Sequence, residues 1–223
     1  MRVAVLGTGT VGQTLADALV ARDHDVVLGS RTPDNEAATQ WAERHGARAS
    51  HGSFADAVRD ADLVVNATAG MVSLAVLQSV GEDLLGERVV VDVSNPLDFS
   101  QGFPPTLSVV NTDSVAEQLQ RGFPRARVVK ALNTMTASVM VEPGRLPAPT
   151  DVLIAGDDAA AKATVTDLLV SFGWPRERVR DLGDVTAARG LEMYLPLWLR
   201  LFGAVGTPEF NIAVVAAPGA EGS

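Results

Sequence analysis

The sequence predicts an α/β fold, a Rossmann-type doubly wound parallel sheet followed by a small C-terminal α/β domain. Three observations predict it. Residues 2–6 (RVAVL) have the apolar, β-branched pattern of a strand buried on both faces. Gly7-Thr8-Gly9-Thr10-Val11-Gly12 follows at the spacing G-x-G-x-x-G. Strand-like and helix-like segments then alternate along the chain, the pattern of parallel strands joined by crossover helices.

The glycine turn is the first element with a chemical reading. Its first glycine permits a tight turn, its second lets the backbone approach a pyrophosphate, and its third lets the next helix pack close. A helix over residues 11–22 would aim its free N–H groups and positive dipole end at phosphate. Residues 25–29 read as the second strand. An NAD site normally carries an acid at the end of that strand, to hold the ribose 2′-OH. Here Ser30-Arg31-Thr32 stands instead. A carboxylate would repel a 2′-phosphate, whereas two hydroxyls and a guanidinium can hold one. The expected cofactor is therefore NADP(H). The alternative is a Rossmann-like domain in which Arg31 is a solvated surface charge.

Further along, residues 35–45 read as a helix ended by Gly46, and residues 47–50 as a short third strand. Ser53 would cap a short helix reaching Asp60. Residues 62–67 form the fourth strand, with Ala67-Thr68-Ala69 at its carboxyl end. Residues 71–80 read as a helix and 88–93 as the fifth strand, ending in Ser94-Asn95-Pro96. Residues 127–132 are a sixth strand, ending in Asn133-Thr134. Ligands of open α/β sheets sit beyond the carboxyl ends of the strands. Small polar tips at three such ends suit a flat nicotinamide ring, although Ser, Asn, Thr and Pro are also ordinary turn residues. Residues 99–111 are loop-rich and 142–149 resemble a linker, which divides the chain into a dinucleotide-binding domain (1–142) and a smaller C-terminal domain (143–223).

In the second part, residues 151–156 read as a strand, and Asp157 or Asp158 caps a helix to residue 172. Residues 178–182 and 210–215 read as strands, and 218–223 as a frayed end. Residues 186–202 form a strongly apolar helix that Pro196 must kink or restart. It is either a core helix with an Arg189–Glu192 ion pair, or a helix presenting Tyr194, Leu195, Leu197 and Trp198 to a second subunit or a planar substrate.

Composition narrows the function classes. The net charge of −9 disfavours nucleic-acid or anionic-membrane binding. With no cysteine there is no disulfide, thiolate catalysis or cysteine-ligated metal. The chain opens on its first strand, so no signal peptide is expected, and no stretch is apolar and long enough to span a membrane. A cytoplasmic location follows as an expectation. His24, His45 and His51 fall away from the strand ends and read as surface residues. No metal site and no catalytic acid or base stands out.

Taken together, residues 1–12 (MRVAVLGTGTVG), 27–31 (VLGSR), 91–97 (VDVSNPL), 129–134 (VKALNT), 155–158 (AGDD) and 188–194 (ARGLEMY) resemble the F420H2:NADP+ oxidoreductase family, in its bacterial branch. The resemblance spans nearly the whole chain. It implies NADP(H) over the glycine turn with Ser30 and Arg31 on the 2′-phosphate, and coenzyme F420 as co-substrate in the cleft between two domains. It also implies a homodimer whose contact lies in the C-terminal part. Two features depart from the pattern: Asn133 stands where archaeal members carry histidine, and Pro33-Asp34-Asn35-Glu36 replaces more basic residues after Arg31. The activity implied is hydride transfer between nicotinamide C4 and deazaflavin C5, which asks the protein to align two rings and exclude water. An NADPH-dependent flavin or ferric reductase and a non-catalytic NADP(H)-sensing module are the alternatives.

Overall fold

The computed structural model describes residues 1–217; the frayed end expected at 218–223 lies outside the described residues. β1 (Arg2–Leu6) leads through α1 (Thr10–Val20) to β2 (Asp25–Ser30), then α2 (Glu36–His45), β3 (Ala49–Ser53), α3 (Phe54–Val58) and β4 (Leu63–Asn66). The chain continues with α4 (Gly70–Val80), α5 (Glu82–Leu85), β5 (Val89–Asp92), β6 (Leu97–Asp98), β7 (Thr106–Leu107), α6 (Val115–Gly122), β8 (Arg127–Ala131) and α7 (Ala137–Val141). Its last elements are β9 (Val152–Ala155), α8 (Ala159–Ser171), β10 (Val179–Asp181), α9 (Ala188–Met193) and α10 (Leu195–Val205).

Eight strands make one sheet in the order β10-β9-β8-β5-β4-β1-β2-β3. All pairings are parallel except β8 with β9. The strands from segment 143–223 thus extend the edge of the sheet that the first 142 residues begin. Alternation inside each strand explains the unbroken apolar runs. Val3, Val5, Val26, Leu28, Val65 and Val91 face the layer of α1, α2, α7 and α8. Ala4, Leu6, Val27, Val64, Val90 and Val128 face the layer that includes α3, α4, α6 and α9. Both faces are covered, so the central strands are apolar over most of their length. Two tryptophans anchor the first layer with their indole N–H groups paired. Trp41 donates to Asp17 Oδ1 at 2.6 Å and Trp174 to the Met140 carbonyl at 2.9 Å.

Helix starts follow their capping residues. Asn35, Ser53, Ser114 and Asp158 each accept a backbone N–H at the start of α2, α3, α6 and α8. Around α6 the Arg121 guanidinium takes both oxygens of Asp113 at 2.8 Å, which holds that carboxyl at about 2 against an ordinary 3.8. A carboxyl depressed in the folded state adds stability above its unfolded value and loses it as the pH falls. The stability gap between the parent protein and Arg121→Ala should therefore be open at neutral pH and close between about pH 4 and pH 2. Urea midpoints along that range would check it.

Two expectations need correction. Residues 210–215 form no strand: the Ile212 carbonyl accepts from Asp151 N, and Val214 N donates to the Asp151 side chain, so a buried carboxylate replaces the next rung of a ladder. Arg189 and Glu192 do not pair with each other. Arg189 binds Glu117 and Glu192 binds Lys130. The apolar segment 186–202 restarts at its proline as expected: one helix ends at Met193 and the next begins at Leu195, where Pro196 occupies the first turn of α10 and needs no N–H partner. The loop-rich stretch 99–111 carries a small antiparallel ribbon, β6 with β7.

Candidate functional site

Sheet order reverses at β1, whose neighbours are β2 on one side and β4 on the other. Chains leave the two sides of that point in opposite directions, which opens a crevice at the carboxyl edge. A cleft of about 810 Å³ lies there. Its lining takes Gly7, Thr8 and Gly9 from the glycine turn, Ser30, Arg31 and Thr32 from the end of β2, and Ala67, Thr68 and Ala69 from the end of β4. Asn35, Phe54 and the α4 residues Val72, Ala75, Val76 and Ser79 complete the walls. The first nine belong to the site expected from sequence; the rest do not. Phe54 directly follows the Ser53 cap, a position that points to the cleft only once β3 is placed beside β2.

Each glycine of the turn has a separate reason. Gly7 adopts φ +115°, which L side chains rarely reach. Gly12 is pressed against the turn, and a Cβ there would stand 2.0 Å from the Gly7 carbonyl oxygen. Around Gly9 nothing lies within 4 Å of a Cβ position. No protein group demands a glycine there; the open space above it is what a phosphate needs. Gly9 is also the N-cap of α1 and supplies no side chain, unlike the caps of α2, α3, α6 and α8. The first N–H groups of α1, at Thr10 and Val11, thus remain for a ligand.

At the end of β2, the Ser30 hydroxyl donates to the Thr32 carbonyl and is nearly buried. It shapes the turn instead of standing free. Arg31 is exposed, lines the cleft, and makes no ion pair or hydrogen bond among the described residues.

The other expected residues form a second group. Asn95 Nδ2 donates to the Asn133 carbonyl, and Asn133 Nδ2 donates to Asn95 Oδ1, both at 2.9 Å. Gly70 N donates to the Asn95 carbonyl at 3.1 Å, clamping the start of α4 onto the tip of β5. Pro96 and Thr134 are buried beside them. The structure thus gathers Thr68, Ser94, Asn95, Pro96, Asn133 and Thr134 at the adjoining ends of β4, β5 and β8. Ser94 Oγ and Asn133 Oδ1 are buried without a hydrogen-bond partner. Such orphans are uncommon in folded proteins. A carboxamide-bearing ring over these tips would give them partners, so the residues present fit a nicotinamide.

Below the tips runs a polar row that sequence reasoning missed. Asn66, Asp92 and Lys130 are lateral neighbours on β4, β5 and β8 and are fully buried. Lys130 Nζ lies 2.8 Å from both Asp92 Oδ2 and Glu192 Oε1 and 2.5 Å from the Ser94 carbonyl. A lysine inside a strand run of valines was the one available signal. The three histidines stay off the cleft: His45 pairs with Asp17, His51 reaches the Pro33 carbonyl, and His24 is near the amino terminus of the chain. Among the described residues no group of three or more His, Asp or Glu side chains is arranged to hold a metal ion.

Comparison with known proteins bears on these features. Residues 2–96 match the family model "NADP oxidoreductase coenzyme F420-dependent". An F420-dependent NADP reductase of Methanocaldococcus jannaschii is 30% identical over 210 residues, covering 90% of this chain and 92% of that protein. The chain belongs to the F420-dependent NADP reductase family. A solved structure from Arthrobacter sp. FB24, described as a candidate F420-dependent NADP reductase, superposes with a TM-score of 0.92 at 51% identity, over 97% of this chain and all of that one. The rat metalloreductase STEAP3 is 29% identical over 201 residues, which is 88% of this chain and 38% of that protein. Within the family, this chain is an NADP-dependent oxidoreductase whose glycine turn and strand tips fall in the matched segment as far as Pro96.

Proposed function

We propose that this protein transfers hydride between NADP(H) and coenzyme F420, with the NADP 2′-phosphate on Arg31. The observation that carries the cofactor choice is the exposed Arg31 guanidinium at the cleft, unpaired among the described residues and with no acid at the end of β2. The deazaflavin follows from family membership. When bound, the two cofactors supply the chemistry themselves: hydride passes between nicotinamide C4 and deazaflavin C5, and the accompanying ring proton comes from solvent.

The chain's own residues bind and align. Gly9, Thr10 and Val11 present backbone N–H groups to the pyrophosphate, Gly7 makes the turn with its own N–H on the Gly29 carbonyl, Gly12 lets α1 pack close, and Thr8 and Thr68 border the site. Ser30 and Thr32 set the turn from which Arg31 reaches out. Ala67 and Ala69 leave room along the cleft floor. Ser94, Asn95, Asn133 and Thr134 hold the nicotinamide end, and Pro96 stiffens the turn beneath it. No side chain is assigned as acid or base, because alignment of two rings at roughly van der Waals distance is sufficient for hydride transfer. Segment 143–223 supplies the second-substrate pocket and the subunit contact.

The subunit contact is argued from α10. Of its eleven residues only Leu195 is buried, and Leu197 and Val205 are more than half exposed. Tyr194 Oη and Trp198 Nε1 are shielded but unpartnered. A homodimer covering this helix would remove that apolar surface from water. No described helix is long and apolar enough to cross a membrane, and we place the protein in the cytoplasm, with small redox cofactors and not nucleic acid as partners.

The deciding experiment offers coenzyme F420, FMN, FAD and ferric chelate in parallel to purified protein with NADPH. Saturable oxidation of NADPH with the deazaflavin alone is the expected result. Turnover confined to flavin or iron would overturn it, and tight NADPH binding without turnover would indicate a sensor. Light scattering on the eluting protein checks the dimer.

A further inference from the structure

The polar row beneath the strand tips is costly to bury and has no place in the cofactor contacts described above. Two carboxylates, Asp92 and Glu192, share one lysine, and all three are at most 1% exposed. Burial alone would lower the Lys130 ammonium, but Asp92 and Glu192 outweigh it and hold the group above its ordinary value. A buried ion cluster is weak evidence for stability, since well-packed apolar residues often do as well. Its connections suggest another role.

Hydrogen bonds run from the row to the tips of β4, β5 and β8 and to α4, α6 and α9. On β4, Asn66 Nδ2 donates to Ser73 Oγ of α4 at 3.0 Å and to Asp92 Oδ1 at 2.8 Å, while its Oδ1 accepts from Thr68 Oγ1 at 2.7 Å. Asp92 Oδ1 also accepts from Ser94 N at 3.2 Å. Lys130 joins Asp92 and the Ser94 carbonyl to Glu192 of α9. Glu192 then accepts from the first two N–H groups of α6, Val115 at 2.9 Å and Ala116 at 3.2 Å. One residue before Glu192, the Leu191 carbonyl accepts from Asn133 Nδ2 at 3.0 Å. Three strand tips, two helix starts and the C-terminal segment therefore share one set of bonds.

We propose that Lys130 and Glu192 are positioning residues for hydride transfer, locking the strand tips that floor the nicotinamide site to the C-terminal helices. The inference rests on the hydride-transfer reading above. It predicts that loosening the lock misaligns the rings without weakening the phosphate contacts, which lie at β1, α1 and β2. Sub-ångström alignment governs the rate of such a transfer, so the loss falls on kcat.

Two measurements test it. Glu192→Gln keeps the shape and an acceptor for α6 but removes the charge facing Lys130. It should lower kcat about tenfold, with KM for NADPH within about twofold, and should enlarge the primary isotope effect with NADPH deuterated at C4. A purely structural role would lower the melting temperature and leave kcat and the isotope effect unchanged. Lys130→Met would leave the buried Asp92 and Glu192 carboxylates without their cation, a change that threatens folding itself, so the second measurement uses the parent chain. Binding of NADPH to the parent should slow amide exchange at Val115 and Ala116 at least about threefold, because ordered strand tips tighten Glu192 on those two N–H groups. An unchanged kcat in Glu192→Gln overturns the proposal, and so does unchanged exchange at those amides. If the parent turns over flavin or iron in place of the deazaflavin, the functional reading fails, and the same kcat comparison with the working acceptor still decides the role of Glu192.

Discussion

A Gly9→Ala variant should remain as stable as the parent and lose the use of either nicotinamide cofactor. The backbone at Gly9 has φ −76°, a conformation alanine adopts freely, and a Cβ there meets no protein atom within 4 Å. Glycine-to-alanine changes at compatible positions stabilise by about 0.4–1 kcal/mol through the unfolded chain, so the melting temperature should hold or rise slightly. The methyl group would, however, stand where backbone and pyrophosphate must approach. Losing two charge-assisted hydrogen bonds of about 1.5–3 kcal/mol each lowers kcat/KM by at least about a hundredfold. Gly12→Ala is the contrasting case. Its Cβ would lie 2.0 Å from a carbonyl oxygen of the same turn, so α1 must move away from β1 and stability falls with binding. Thermal melts beside kcat/KM for NADPH and NADH separate the two glycines. Unaltered kinetics in Gly9→Ala would remove the pyrophosphate from this turn.

Arg31→Ala carries the second large effect, and a selective one. An exposed guanidinium on a phosphate is worth about 1.5–3 kcal/mol, or roughly 10- to 150-fold in the Michaelis constant for NADPH. NADH lacks the phosphate, so its constant should change by less than about twofold, and kcat with NADPH should hold because the contact is the same before and during transfer. Raising the salt concentration should weaken NADPH use by the parent and leave the variant nearly indifferent, since exposed charges are screened. Equal losses with both cofactors would assign Arg31 to the turn's structure and not to the phosphate.

Local signals were legible in the sequence, and long-range partners were not. The G-x-G-x-x-G turn, the missing acid after β2 and the caps Ser53 and Asp158 all act within a few residues, and each is where its pattern puts it. The parallel order of the central strands follows from alternating strand and helix. By contrast, α6 was not read at all. Its start depends on Ser114 together with Glu192, which arrives from a distant part of the chain. Arg189 and Glu192 look like neighbours on a helix, yet each is claimed by a partner on another element. The alternation at residues 210–215 suggests a strand, but a ladder needs a free edge, and the Asp151 carboxylate already holds that position. Within the cleft, the residues missed were Asn35, Phe54 and those of α4, whose orientation is set by packing and not by motif.

The distance in sequence between Lys130 and Glu192 has a consequence for synthesis. The strands bearing the glycine turn, the phosphate arginine and the polar tips are all complete once β8 has been made. Of the two carboxylates on Lys130, Asp92 precedes it in the chain, and Glu192 follows only after about sixty more residues. At roughly 5–20 residues per second, the nascent chain spends several seconds with that ammonium half-neutralised and with the first N–H groups of α6 unclaimed by Glu192. On the ribosome, then, the carboxylate that completes this cluster is among the last parts of the molecule to be made, well after the segments that carry the cofactor cleft.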